Sequence, residues 1–469
     1  MTPLVELARA MFAAAVAAVQ PSVLLRRVSF LPRGFEFAGQ VFCPAGKLHL
    51  LALGKAAPGL ADAFLRRSNR QPDSVFVLAP DGAPTPTRVA AWTRFARHPV
   101  PDTRGAAATR ELVQHLATTT DDDGVVLLLS GGSSSLLAEP LPGLDLAQVE
   151  LMTAALLEAG APIRDLNIVR RHVLAGAGGR LALACRAPMV TLVVSDVPGD
   201  NLALVGSGPT TADASTCADA SAVVRRYRLE DRLPALATFL SRDAADSRAE
   251  SVKPGDRRLQ RSFVHLLGCS RDALSAAARV AKDAGLRTAV LTTTLHGEAT
   301  SVGGALAALA QALTSGEAAA VLAAGETTVA VRGAGHGGRN LELALAAACG
   351  LAGVPERCIL AAGSDGVDGS APAAGAVVDG ATLARGLAAG RNAAAALADN
   401  DSWGFFKDLP DAIMTGPTGA NVADLAFVLA AGGVPSFLAL EAHSIQRLPV
   451  LGGTTSGTAR TSRSHQGRR

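Results

Sequence analysis

The apolar run Val125–Leu129 passes straight into Ser130-Gly131-Gly132-Ser133-Ser134-Ser135, a strand that ends in a loop stripped of bulk. Glycines let backbone N–H groups approach a ligand and serines add hydroxyl donors, so such a loop suits an anion, a phosphate or a carboxylate. Other segments repeat the theme. Lys55 follows Gly54 at another strand end, where an ammonium can reach an anion as a point charge. Asn167, Arg170, Arg171, His172 and Arg180 crowd a segment that also holds Gly176, Gly178 and Gly179. The strand Val190–Val194 leads into Ser195-Asp196-Val197-Pro198-Gly199-Asp200, and Gly206-Ser207-Gly208-Pro209-Thr210 follows. Asp196 and Asp200 at a strand's end could hold Mg²⁺ or accept a proton. Any one of these segments also reads as an ordinary turn; their number in series points to a ligand.

The second half continues the pattern. Gly325-Glu326-Thr327-Thr328 is followed by Gly333-Ala334-Gly335-His336-Gly337-Gly338-Arg339-Asn340. Gly333, Gly335 and Gly338 fit G-x-G-x-x-G ahead of a helix, which admits a dinucleotide-binding oxidoreductase. Arg339 at the helix start equally suits phosphoryl transfer, where a cation neutralises the moving group. Against the dinucleotide reading, Asp365 is the nearest strand-end acid and lies too far on to meet the ribose. Ser364–Ser370, with Asp365, and Thr415–Asn421, with Gly416, Thr418, Gly419 and Asn421, are further loops of this kind. His296 reads as a hydrogen-bonded structural histidine. The chain has no G-x-x-x-x-G-K-[ST], no protein-kinase signature set and no G-x-S-x-G elbow.

These loops need a scaffold. Strand and helix patterns alternate, the mark of a mostly parallel α/β architecture. Expected strands include Lys47–Leu53, Ser74–Leu78, Val125–Leu129, Met189–Ser195, Phe263–Leu267, Ala319–Ala323, Thr327–Val331 and Cys358–Ala362, and Leu146–Ala159 and Asp272–Ala284 read as helices. At 469 residues, two domains are expected: residues 1–240, and residues 258–450 after a polar stretch ending in Pro254-Gly255-Asp256. Residues 452–469 read as a disordered tail. With one Tyr and two Trp, the core must be aliphatic.

A net charge of +3 with scattered basic residues excludes a nucleic-acid stripe. Leu4–Val19 reads as an amphipathic helix interrupted by Glu6 and Arg9, and no run reaches the roughly 20 apolar residues of a membrane span. The six cysteines contain no C-x-x-C pair and no zinc spacing, which favours reduced thiols in a cytoplasmic protein. The expected partner is a small molecule, with neither nucleic acid nor membrane; a second copy, as a homodimer, is the macromolecular partner left open.

Taken in order, the loops resemble one family, the class II glycerate 2-kinases, whose C-terminal half contains the MOFRL domain. The matching stretches are Gly54-Lys55-Ala56, Ser130–Leu137, Asn167–Ala182, Ser195–Thr210, Gly325–Glu342, Ser364–Gly380, Asn400-Asp401-Ser402 and Thr415–Leu425. The resemblance implies a Rossmann-like N-terminal domain, a smaller α/β domain and a cleft between them. It also implies phosphorylation of D-glycerate at its 2-hydroxyl by ATP with Mg²⁺. Lys55 and Arg339 are then the catalytic cations and Asp196 the acidic partner, with Asp200 as a second metal ligand. Ser130, Gly131, Gly132, Ser133, Ser134, Arg171, His172, Arg180, Ser207, Gly208, Thr210, Glu326, Asp365, Gly416, Thr418, Gly419 and Asn421 are expected to bind substrate or phosphate. Members of the family sometimes carry the name hydroxypyruvate reductase, so that activity and a kinase of another hydroxy acid are the alternatives. The family's Ser-x-Ile-Lys-Gly-Gly-Arg appears as Leu174–Arg180, with Leu174 and Ala177 in place of serine and lysine. Leu341 replaces the glutamine of Arg-Asn-Gln-Glu. One cation and two polar contacts are thereby removed.

Overall fold

The computed structural model describes residues 2–241, 249–313 and 318–431. The runs Leu-His-Leu-Leu-Ala-Leu, Gly-Val-Val-Leu-Leu-Leu-Ser and Met-Val-Thr-Leu-Val-Val are buried at every position, as strands covered on both faces must be. They form the middle of a six-stranded, all-parallel sheet. Its order is Thr93–Ala96, Ser74–Pro80, Leu48–Leu53, Gly124–Ser130, Met189–Val194, Ser262–Gly268. The chain enters at Leu48–Leu53, works out to one edge, and returns to lay Gly124–Ser130 against the other side of its first strand. At that reversal two neighbouring strands send their exits in opposite directions, opening a crevice at their C-terminal ends. Lys55 and the Ser130–Ser135 loop stand there.

The second sheet is mixed, in the order Arg287–Leu295, Ala319–Gly325, Asp424–Ala430, Arg357–Gly363, Gly375–Asp379, Ala412–Ile413. Only its first pair is parallel. Asp424–Ala430 runs against both neighbours, so its first residue lies beside their last: Asp424 is in register with Gly325 on one side and Gly363 on the other. That brings Asp424 to the loops that begin at Glu326 and Ser364. The expected strand Thr327–Val331 is reduced to one bridge, Glu298 with Thr328.

The strand Ser262–Gly268, which a boundary at residue 258 gives to the second unit, is instead the edge of the first sheet, paired with Met189–Val194. Of the polar stretch before it, residues 242–248 lie outside the described residues, as does the tail expected at 452–469. Helix Pro3–Ala18 buries Val5, Ala8, Met11, Phe12 and Ala15, an i, i+3, i+7 stripe. One continuous apolar cluster joins this stripe to Leu50 and Ala52 of the first sheet and to Leu322, Leu360 and Phe427 of the second. The N-terminal helix therefore ties the two sheets together. Among the described residues no single helix is long and apolar enough to cross a membrane. Asp145 caps helix Leu146–Glu158 by accepting from the Gln148 N–H, and the Gln148 side chain accepts from the Asp145 N–H.

Candidate active site

The exits of the first sheet are bound to one another before any ligand is considered. Ser130 is fully buried; its hydroxyl accepts from the Ala56 N–H at 3.1 Å and donates to the Leu53 carbonyl. The Lys55 N–H donates to the Gly131 carbonyl at 2.9 Å. The Lys55 and Ser130 loops thus move as one piece. Gly131 is packed against the Asp196 carboxylate so closely that a β-carbon there would stand 1.6 Å from Oδ2. Gly131→Ala is therefore expected to displace Asp196, costing stability on the order of 1–3 kcal/mol and most of the activity. Thermal denaturation and kcat of that variant check this; wild-type values for both would mean that the loop yields freely.

Lys55 and Asp365 join the two sheets: the ammonium donates to Asp365 Oδ2 at 2.8 Å. Asp365 is bracketed by the loop that precedes Asp424–Ala430. The Thr418 N–H donates to the Asp365 carbonyl and the Thr418 hydroxyl to the Ser364 carbonyl. From the same loop Asn421 Nδ2 donates to Asp196 Oδ2 at 2.8 Å. Burial and the nearby Glu326 carboxylate push Asp196 up to about 6, against the pull of Lys55. Lys55 is held above its ordinary value: burial alone would lower it, but Asp365 and Asp196 outweigh that.

Arg339 opens helix Arg339–Leu351 and forks onto two carboxylates. Its Nε lies 2.5 Å from Asp424 Oδ2 and its Nη2 2.7 Å from Glu326 Oε1. The helix is fixed from below by buried Asp368, which accepts from the Leu341 and Asn340 N–H groups and from Asn340 Nδ2. Burial pushes Asp368 up to about 7 despite those donors. About a third of the Lys55 and Arg339 side chains remains open to water. The cluster is therefore a recess of four carboxylates and two cations that a ligand can reach. Asp196, Asp365, Glu326 and Asp424 supply its carboxylate oxygens. Burial raises both Asp196 and Glu326, helped by Glu326 at the first and by Asp424 at the second.

Helix Ile163–Val173 decides which of its polar residues join this recess. Asn167 and Arg170 are three residues apart and share a face. The Ser207 hydroxyl lies 3.0 Å from both Asn167 Oδ1 and Ser134 Oγ. Arg170 is 4% exposed and pairs with no carboxylate among the described residues; its only polar contact there is the Pro99 carbonyl at 3.5 Å. Burial alone drags its guanidinium down to about 10. Beside it, burial together with the Lys55 and Arg170 charges holds His98 near 4, so its imidazole is neutral.

Arg171, His172 and Arg180 are not brought to the recess. Arg171 is one step further round the helix, in a buried ion pair with Asp213 at 2.9 Å. His172 faces Glu250, and Arg180 donates to the carbonyls of Ala249 and Glu250. Asp200 is likewise turned away, paired with Arg271 at 2.8 Å. Thr210 is buried against Thr191, and the Gly208 carbonyl accepts from the Gly179 N–H; both are scaffold. His296 bonds the Thr294 carbonyl, as a structural histidine would. His98 and Asp424 escaped sequence reasoning, and Arg170 was not separated from its neighbour. The i, i+3 relation with Asn167 was the available signal. Leu174 and Ala177 are buried in the apolar cluster around this helix, and Leu341 in the one behind the second sheet. The departures from the family pattern thus fill apolar cores rather than leaving gaps among the charges.

The loop Gly333–Gly338 is already occupied by the chain itself. The Arg332 and Gly333 N–H groups donate to Asn400 Oδ1, Ala334 to Asp399 Oδ1, Gly335 to the Asp399 carbonyl and His336 to Asp401 Oδ1. A β-carbon at Gly335 would stand 2.4 Å from the Asp401 side chain. The backbone N–H groups that a phosphate would need are thus already taken by the Asp399, Asn400 and Asp401 oxygens.

Fold and site together define a two-sheet α/β protein whose loops bring Lys55 and Arg339 together with Asp196, Asp365, Glu326 and Asp424. Residues 7–241 match the family model described as a domain of unknown function, DUF4147, and residues 319–424 match the MOFRL family. D-glycerate 2-kinase of Thermotoga maritima is 37% identical over 70% of this chain and 78% of its own length. A relative in Agrobacterium vitis, 35% identical over 90% of this chain and 94% of its own, carries the name hydroxypyruvate reductase. The crystal structure of a glycerate kinase from Thermotoga maritima superimposes with a TM-score of 0.77, covering 91% of this chain and 99% of that one at 33% identity. The chain belongs to the glycerate kinase family with a MOFRL domain.

Proposed function

We propose that the protein transfers the γ-phosphoryl group of ATP to the 2-hydroxyl of D-glycerate. The observation that carries this reading is the convergence, from two sheets, of Lys55 and Arg339 on one recess beside Asp196. Phosphoryl transfer asks a protein for positioning and charge neutralisation more than for covalent chemistry. The glycerate oxygen bonds to the γ-phosphorus as the bond to the β-phosphate oxygen breaks, and the hydroxyl proton passes to an Asp196 oxygen. Asn421 orients that carboxylate. Lys55, steadied by Asp365, and Arg339, steadied by Glu326 and Asp424, balance charge on the moving group. Mg²⁺ carried in with the ATP phosphates would draw charge from their oxygens. We read the two sheets as a Rossmann-like unit and a smaller α/β unit whose closure over the recess excludes water.

Arg170 and His98 are the groups suited to the glycerate carboxylate: a buried cation without an acid partner among the described residues, next to a neutral imidazole that can donate. Arg170→Met should raise KM for D-glycerate roughly tenfold or more, since a charge-assisted hydrogen bond is worth about 1.5–3 kcal/mol, with a smaller effect on kcat. Equal KM values in the two proteins would remove Arg170 from substrate binding.

The reductase reading is disfavoured by the self-satisfied Gly333–Gly338 loop. The direct test is ADP release on mixing the protein with ATP, Mg²⁺ and D-glycerate, with the product read by phosphorus NMR. A 2-phosphate signal is expected. No glycerate-dependent ADP, or oxidation of NADH by hydroxypyruvate, would overturn the assignment.

A further inference from the structure

On the side of helix Ile163–Val173 turned away from the recess, three metal-ligating groups meet from three separate segments. They are His172 of that helix, Cys217 at the first turn of helix Cys217–Arg226, and Glu250 of the segment leading to the last strand of the first sheet. One ligand atom from each lies within 4.8 Å of the others. We propose that His172, Cys217 and Glu250 form a binding site for a thiophilic divalent cation, of which Zn²⁺ is the best match. Nothing in the phosphoryl-transfer reading uses these residues.

The orientation of His172 carries the argument. Its side chain is fully buried, and Nδ1 lies 2.8 Å from the Ile168 carbonyl. A carbonyl only accepts, so Nδ1 bears the hydrogen and the neutral ring turns a lone pair outward on Nε2. That lone pair meets another acceptor, Glu250 Oε1, at 3.1 Å, with the Ser251 hydroxyl no closer than 3.4 Å. A proton on Nε2 or a bound cation satisfies that contact, and a thiophilic cation there would also meet Cys217. A backbone carbonyl holding the far nitrogen is the usual support for a metal-bound imidazole.

Charge and ligand type agree. A thiolate and a carboxylate cancel a divalent charge, and His, Cys and a carboxylate leave a fourth tetrahedral position for water. Metal uptake would release the Cys217 thiol proton. The neighbouring groups are the Lys253 ammonium, 2.5 Å from Glu250 Oε1, and Arg180, with Asp213 and Asp219 acting on His172 from further off. Lys253 now answers the carboxylate; being more than a third exposed, it can withdraw to water when a cation enters. An occupied site would pin the Glu250 segment to the helix that presents Asn167 and Arg170 on its other face.

The test is a Co²⁺ titration of the reduced, chelator-treated protein, since a cobalt–thiolate bond gives a charge-transfer absorption that oxygen and nitrogen ligands do not. One equivalent should bind with that band, Zn²⁺ should displace it, and Cys217→Ser should abolish it while its circular dichroism stays that of the wild type. Lys253→Gln, which removes the competing ammonium, should tighten binding. A wild-type titration without the sulfur band, or one that Cys217→Ser leaves unchanged, would overturn the proposal. Because the readout is spectroscopic, it stands or falls separately from the kinase assay.

Discussion

Arg339→Ala is expected to lower kcat by about a thousandfold or more, the scale on which an arginine acts on a transferring phosphoryl group, while KM for D-glycerate changes little. The guanidinium lies among the carboxylates of the recess and not beside the buried Arg170–His98 pair, so it meets the charge that grows in the transition state rather than the resting substrate. The substitution has a second consequence. Glu326 and Asp424 lose the cation they share at 2.7 and 2.5 Å. Glu326, which Arg339 holds down, should then rise further above its ordinary value. Arg339→Lys should recover only part of kcat, because a point charge cannot fork onto two carboxylates. Initial-rate kinetics over a pH series read all three effects. A wild-type kcat in Arg339→Ala would reduce this residue to a clamp between Glu326 and Asp424.

What could be read from the sequence followed from how strongly each element was written. The inner strands of the first sheet are mainly aliphatic runs, broken only by single residues such as His49 and Thr191, with glycine or serine at their exits, so the strands and the loops bearing Lys55, Ser130 and Asp196 could be found without coordinates. Asp424–Ala430 is the central strand of the second sheet, yet in a chain this rich in Ala and Leu its sequence Asp-Leu-Ala-Phe-Val-Leu-Ala fits a buried helix turn as well as a strand. Missing it meant missing Asp424, because only its antiparallel placement carries that residue to Gly325 and Gly363. His98 follows the short edge strand Thr93–Ala96, whose four residues offer no period to read. Arg170 and Arg171 look alike in sequence, but one helical step of about 100° sends the first to the recess and the second to Asp213. Asp196 and Asp200 looked like a pair because they share a loop; the loop's turn at Gly199 points the second at Arg271. The His172, Cys217 and Glu250 cluster has no motif spacing at all, since three segments distant in sequence supply one ligand each.

Asp196→Asn tests the proton's destination. A general base tuned toward neutrality contributes about 10²–10⁴-fold, so kcat should fall by that order with Mg²⁺ and both substrates saturating. The side-chain amide oxygen that this substitution leaves in place can still accept from Asn421, so the loop keeps its hydrogen bond. In the wild type, log kcat/KM should rise with pH up to about 6, where the free enzyme's Asp196 ionises, and then level off; in the variant that limb should be absent. The same shift predicts the stability. A carboxyl raised from 3.8 to about 6 holds its proton more tightly in the folded chain than in the unfolded one. Its stabilising contribution is complete below pH 4 and is lost as pH rises through 6. The difference is about two pKa units, or at most about 3 kcal/mol, and less because the recess is open to water. Without ligands, Asp196→Asn should therefore melt above the wild type at pH 8, and the gap should close toward pH 4. Greater stability with lost turnover is the behaviour of a charge kept for chemistry at the fold's expense. A variant that melts below the wild type at pH 8 would instead make Asp196 a structural partner of Lys55 and Asn421, and an acid limb that survives in the variant would assign the titration to Glu326.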